Sequence, residues 1–279
     1  MSGFLDRMLL GYTRRFPVDY GKKTISHLIK LPGGEIIYTN SLGVKLRIDP
    51  AEYQMRQIYL YDYYEKNTIR HLKRLCEPGF TFVDVGANIG FYSLVMGKLL
   101  RDTGIIYSFE PNGDTYKKFK ENIELNQLRN ISLHKVGLSD TEKDVEIIYN
   151  LHNSGTASIF KSATAAEKKE TIHLMKFDDF CNAENLENIN LLKVDIEGSE
   201  LSFLVGAEYA IKRNRKLAMA VEMMDENCMN IGYTISELFQ YIVGLGFKAY
   251  LPRPFPFALK QVDSVSHGYR DNIIFLRGY

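Results

Sequence analysis

The spacing of apolar and polar positions changes several times along this chain. Residues 36–50 alternate, with Ile36, Tyr38, Val44, Leu46 and Ile48 set apart by polar neighbours around Asn40 to Gly43. That pattern predicts a β-hairpin. Residues 53–75 carry Ile58, Leu60, Tyr61, Tyr64, Ile69, Leu72 and Leu75 at helical spacing and predict one helix, stopped by Glu77-Pro78-Gly79. Short apolar runs then predict strands at 80–85, 105–110, 131–136, 189–195, 217–223, 247–251 and 272–277, and amphipathic runs predict helices at 90–100, 113–126, 199–211 and 234–245. Strands alternating with helices are the mark of an α/β fold with a mostly parallel sheet. The alternation breaks between 140 and 180, where Val145–Tyr149, Ala157–Phe160 and Thr171–Lys176 read as short strands of an insertion suited to be a lid or a substrate wall. The organisation expected is an extension over 1–69 (helix, hairpin, helix) and an α/β domain over 70–279.

Composition removes some function classes. A net charge of +1 gives no global field towards nucleic acid or membrane. Cys76, Cys181 and Cys228 are scattered and odd in number, which suits a reducing, cytoplasmic setting rather than a disulfide framework or zinc site. No apolar run reaches the roughly 18 residues of a membrane span. Residues 1–30 mix Phe4, Leu5, Met8, Leu9 and Leu10 with Arg7, Arg14, Arg15, Lys22 and Lys23. A basic amphipathic helix of this kind either covers an edge of the core or lies on a membrane surface. The first reading is preferred, and the oligomeric state is left open.

The chemistry concentrates at predicted strand ends. The run Phe82-Val83-Asp84-Val85-Gly86-Ala87-Asn88-Ile89-Gly90 takes an apolar strand into an acid and a glycine turn, followed by a helix. Small residues there let a ligand approach the backbone at the carboxyl end of the strand. The spacing is not the Gly-x-Gly-x-x-Gly of a pyrophosphate cradle, so a ligand such as S-adenosylmethionine (SAM) suits it better than NAD. The next strand ends on Glu110, which lies 24 residues beyond Gly86 (110 − 86) and suits a ribose diol. The fourth strand ends on Asp195, followed by Glu197, Gly198 and Glu200, and the fifth carries Glu222. Three acids at one sheet edge suggest chemistry, whereas Glu200 in a helix's first turn is explained by capping and the helix dipole.

These motifs together resemble the FkbM family of SAM-dependent methyltransferases. The resemblance rests on Val83 to Gly90, on Phe109-Glu110-Pro111 and on Lys193 to Glu200, with weaker echoes at Tyr63-Tyr64-Glu65 and Asn272 to Phe275, and covers roughly residues 40–279. It implies a Rossmann-like class I methyltransferase fold, with a seven-stranded mostly parallel sheet, helices on both faces, and methyl transfer mostly to oxygen of sugars, glycans or secondary metabolites. The family often shows Glu-x-His after the fifth strand. Here Met223 and Met224 follow Glu222, so a histidine base at that place is absent.

The expected site has Gly86, Asn88 and Gly90 along the methionine portion and Asp84 steadying the turn or meeting the α-amino group through water. Ser93 would bind the carboxylate, and Glu110, with Asn112 beside it, the ribose. Gly137, Leu138 and Ser139 would wall the adenine. Asp195 would sit nearest the methyl group, Glu65 would reach the cofactor, and Glu197 leads as general base with Glu222 and His152 competing. Asp195, Glu197 and Glu222 also suit Mg²⁺, but carboxylate clusters are common without metals, so no metal is assigned. The competing functions are methylation of tRNA or protein, a SAM-binding scaffold without catalysis, and an NAD-dependent oxidoreductase. Near-neutral charge disfavours an RNA partner.

Overall fold

The computed structural model describes residues 2–15, 21–150, 153–158, 167–254 and 258–279. In chain order the elements are α1 (Ser2–Arg15), α2 (Lys22–Ser26), β1 (Ile36–Thr39), β2 (Lys45–Ile48), α3 (Tyr53–Tyr61), α4 (Lys66–Leu75), β3 (Thr81–Val85), α5 (Phe91–Leu100), β4 (Ile105–Phe109), α6 (Gly113–Asn126) and β5 (Ile131–His134). There follow β6 (Gly137–Leu138), β7 (Lys143–Asn150), β8 (Asn153–Ser158), β9 (Glu167–Met175), α7 (Phe177–Ala183), β10 (Leu191–Val194), α8 (Glu200–Gly206) and α9 (Glu208–Arg213). The chain closes with β11 (Leu217–Met224), α10 (Asp225–Ile231), α11 (Ile235–Gly244), β12 (Lys248–Pro252), β13 (Leu259–Val262) and β14 (Arg270–Arg277).

The main sheet has the order β13-β12-β14-β11-β10-β3-β4-β5. The pairs β11–β10, β10–β3, β3–β4 and β4–β5 are parallel, whereas β14 runs antiparallel between β11 and β12. Eight strands are present where seven were expected, because the short, half-polar β13 pairs antiparallel with the outer edge of β12. Strands β3, β10 and β11 are buried at nearly every position, as central strands covered on both faces must be. One core lies on each face. One joins Phe109, Phe177, Phe203, Leu238 and Phe275, and the other joins Phe82, Leu94, Phe119, Ala220 and Ile274.

The hairpin belongs to the second core. Val44, Leu46 and Ile48 are fully buried in it, and the amides of Lys45 and Arg47 donate to the side chains of Asn126 and Asn122 on α6 at 2.9 and 2.7 Å. The hairpin therefore closes one face of the α/β layer, while α1 adds a small separate core with α3. The insertion between β5 and β10 builds a second sheet, β6-β9-β7-β8, whose β9–β7 pairing is antiparallel over eight residue pairs.

Two expectations change. Residues 53–75 are two helices, because Asp62 and Glu65 both take left-handed backbone, with φ of 72° and 47°. The Asp62 carboxylate holds that break by accepting from the Ser41 amide at 3.1 and 3.0 Å and from the Tyr38 hydroxyl at 2.5 Å. The helix expected over 199–211 is likewise divided, at Ala207.

Candidate active site

The carboxyl ends of β3, β4 and β10 open into one cleft. Ligand crevices of open α/β sheets form at that edge. Asp84, Gly86, Asn88, Glu110, Asn112, Gly137, Leu138, Ser139, Asp195 and Glu197 all line it, joined by Gln54 and Ile58 from α3 and by Tyr64.

The floor is held open by glycine geometry. Gly86 has φ of 78°, and a Cβ there would lie 1.9 Å from the Asp195 carbonyl oxygen. No other residue lets the ends of β3 and β10 approach this closely. The Gly86 and Ala87 amides both donate to the Phe109 carbonyl at 3.0 Å, which fixes the turn against β4. Gly90 faces away from the cleft, where a Cβ would meet the Phe119 ring at 2.0 Å.

Glu110 is the acid of the β4 end. Its two carboxylate oxygens accept from the Asn88 amide and the Asn112 amide, each at 2.9 Å. Burial raises its pKa to about 7, against the pull of those two amides. Each oxygen keeps a lone pair after one amide bond, so the carboxylate could accept from a vicinal diol in the cleft. Asn112 caps α6, its Oδ1 accepting from the Thr115 amide at 3.0 Å. Its buried Nδ2 has no hydrogen-bond partner among the described residues. An orphaned buried donor at this place fits a ligand acceptor. Asn88 stands in left-handed backbone (φ 50°), with its side-chain Nδ2 donating to Gln54 Oε1 at 2.6 Å, so α3 is tied directly to the glycine turn.

Ser93 does not reach the cleft. It is fully buried, and its amide and hydroxyl both donate to Asp84 Oδ2, at 3.1 and 2.5 Å. Its hydroxyl also meets the Ser108 hydroxyl at 2.7 Å. The geometry makes Ser93 the holder of Asp84, whose pKa burial lifts to about 6. His152 lies outside the described residues.

At the β10 end a lysine occupies the centre. Lys193 is only 1% exposed. Its Nζ donates to Asn272 Oδ1 at 2.9 Å and Asp195 Oδ2 at 3.1 Å, lies 3.5 Å from Glu65 Oε2, and sits 5.3 Å from the Tyr92 ring centroid. Burial alone would lower its pKa, but the carboxylates of Asp195, Glu65 and Glu222 outweigh burial and raise it. Glu65 also accepts from the Tyr92 hydroxyl at 2.6 Å. Glu65, Asp195 and Glu222 bring carboxylate oxygens within 4.8 Å of one another. Glu65 therefore joins the expected acids at this edge, and Glu197 also acts electrostatically on Glu222. Glu197, in left-handed backbone (φ 52°), accepts from Asn227 Nδ2 at 3.0 Å. Lys193 contacts two of the three clustered acids and supplies a resident positive charge among them. Glu222 is raised well above the ordinary carboxylate range, first by burial and then by Asp195.

Glu200 explains how the Asp195–Ser199 turn keeps its shape. Its buried carboxylate accepts from the Ile196 and Gly198 amides at 3.0 and 3.1 Å. That is a capping role built just ahead of α8. Reasoning from sequence passed over Lys193, Tyr92 and Gln54 as functional residues. For Lys193 a signal existed, a charge enclosed in the apolar run Leu191-Leu192-Lys193-Val194.

Residues 84–249 match the family model described as the methyltransferase FkbM domain. The chain belongs to this family. Among similar curated proteins, Methyltransferase 1 of Beauveria bassiana is 26% identical over 144 residues, which cover 45% of this chain and 57% of that protein. Hexuronic acid methyltransferase AglP of Haloferax volcanii is 28% identical over 148 residues, covering 53% of this chain and 58% of that protein. The chain thus spans less than two thirds of the length of these relatives. A solved methyltransferase FkbM from Methylobacillus flagellatus superposes with a TM-score of 0.48 at 15% identity, covering 98% of this chain and 58% of that one. Family membership and the sheet order together give the FkbM chain the Rossmann-like class I methyltransferase fold implied by its motifs.

Proposed function

We propose that this protein is a SAM-dependent O-methyltransferase acting on a hydroxyl of a sugar, glycan or related metabolite. The observation that carries the cofactor part is Glu110, a buried carboxylate held by two amides at a strand end with lone pairs left for a ribose diol. The unpartnered Asn112 Nδ2 beside it and the glycine floor at Gly86 support the same reading. Gly86 and Asn88 would border the amino-acid portion, Glu110 and Asn112 the ribose, and Gly137 to Ser139 the adenine. SAM supplies a methyl group on a sulfonium, an activated electrophile that needs no further activation by the protein. Asp84 is held by Ser93 at the floor, and Gly90 secures the turn from behind.

The protein's share of the chemistry is to align the acceptor hydroxyl with that methyl group and to take its proton. Alignment supplies much of the rate in such displacements. Asp195, Glu197 and Glu222 are the carboxylates available for the proton, and Glu197 leads because it lines the cleft while Asp195, which also lines it, is held by Lys193. A base of this kind contributes roughly 10²–10⁴-fold. The name of the AglP relative points to a uronic acid as acceptor for that protein, which supports a sugar for this one. Near-neutral net charge supports a small acceptor over nucleic acid.

The test is transfer of labelled methyl from SAM to a panel of sugars and sugar acids by wild type, Glu197→Gln and Glu222→Gln. Glu197→Gln should keep S-adenosylhomocysteine (SAH) binding within about threefold and lose at least about a hundredfold in turnover. Unchanged turnover in Glu197→Gln, with loss in Glu222→Gln, would move the base to β11.

A further inference from the structure

The N-terminal helix carries two unlike faces. Leu10 and Thr13 face inward, with the Thr13 hydroxyl donating to the Leu60 carbonyl at 2.6 Å and Leu10 packing on Ile29 and Leu60. Arg14 donates to the Tyr59 carbonyl at 2.6 Å and lies 4.9 and 5.0 Å from the ring centroids of Tyr38 and Tyr59. On the opposite face Phe4, Leu5 and Met8 are 71%, 57% and 58% exposed. The small core formed with α3 takes Leu9 and Leu10 from this helix, and none of these three.

The charge of this segment is as uneven as its hydrophobicity. Residues 1–34 hold six Lys and Arg against two Asp, a balance of +4 in a chain whose total is +1, so the remainder sums to −3. Arg15, Lys23 and Lys30 are exposed, and the Lys30 backbone amide donates to Asp6 of α1 at 3.3 Å, next to Leu5 in the chain. Exposed large apolar side chains flanked by basic ones suit the boundary between headgroups and acyl chains of an anionic bilayer.

We propose that α1 docks this protein on an anionic lipid surface, with Phe4, Leu5 and Met8 entering the interface and Arg15, Lys23 and Lys30 meeting the headgroups. A second copy of the chain is a poorer occupant. A two-fold contact through the same face sets +4 against +4. Three apolar side chains also fall well short of the area of a stable dimer. The docked helix is coupled to the cleft, because its inner face is bonded to α3, and α3 contributes Gln54 and Ile58 to the cleft wall. Docking would therefore set the orientation of the cleft to the bilayer without depending on what is methylated there.

The test is sedimentation of the full chain with vesicles of phosphatidylcholine alone and of phosphatidylcholine with 30% phosphatidylglycerol, a composition of about physiological anionic content. Wild type should bind the anionic vesicles and not the neutral ones, with affinity falling at least about tenfold on raising salt from 0.05 to 0.5 M. Combined Phe4→Ser, Leu5→Ser and Met8→Ser should weaken binding about tenfold or more, and so should combined Arg15→Glu, Lys23→Glu and Lys30→Glu. Both variants should keep the wild-type melting temperature, because the substituted side chains are exposed. Failure to bind anionic vesicles, or equal binding to neutral ones, overturns the proposal. So does a concentration-dependent dimer that the serine variant abolishes.

Discussion

Glu110 joins burial and hydrogen bonding in one side chain, at the place proposed for the ribose. Burial lifts its pKa to about 7, so in the free protein it exchanges a proton near neutrality. Ribose hydroxyls donating to it would favour the ionised form, so ligand binding would release that proton when the pH is below 7. SAH affinity should accordingly rise roughly tenfold per pH unit up to about 7 and level off above it. Glu110→Gln should flatten this dependence and weaken binding at pH 8 by roughly 10–100-fold, the range of one or two charge-assisted hydrogen bonds. Titration calorimetry at pH 5.5, 7 and 8 reads both effects. A pH-independent wild type would mean that Glu110 does not meet the ligand. The acid's position was legible in the sequence because strand-terminal carboxylates follow an apolar run. Ser93 misled because its place in the helix's first turn suits a ligand carboxylate equally well. Only the fold shows its hydroxyl turned back to Asp84.

The elements that shape the site are those whose causes lie far apart in the chain. Local pattern reads the hairpin, the central strands and α5, α6 and α11 well, since each contains its own period and stop signals. The break between α3 and α4 is not local. It is set by Asp62 bonding to Ser41 and Tyr38 on the hairpin side, more than twenty residues away, and it delivers Glu65 to Lys193. Lys193 itself reads as one polar residue in a strand until Asn272, Asp195 and Glu65 are brought around it. Removing its charge as Lys193→Met should leave Glu65, Asp195 and Glu222 uncompensated and cost about 3–5 kcal/mol of stability at neutral pH. The sign with pH follows from the acids. Without the lysine the folded-state pKa values of Glu65 and Glu222, already raised by burial, rise further above the unfolded values, so the destabilisation appears as pH rises through the folded values and shrinks in acid. Thermal unfolding of the variant at pH 5.5 and 8 should show the larger loss at pH 8. An equal loss at both would assign Lys193 a packing role only.

At the scale of the whole molecule, the sheet brings the glycine turn, Glu110 and the β10–β11 acids to one edge, while the extension and the insertion sheet wall the cleft from either side. The eighth strand was invisible in the sequence because Leu259–Val262 is short and half polar and pairs only at the sheet's rim. Family membership accounts for the arrangement without naming the acceptor, since one fold hosts many chemistries. The central claim is that this edge holds SAM. The most direct measurement is calorimetric titration of the purified chain with SAH and with NAD at pH 8, wild type beside Glu110→Ala. One SAH should bind per chain, NAD should not bind, and the variant should lose SAH binding. NAD binding in place of SAH, or SAH binding untouched by Glu110→Ala, would contradict it.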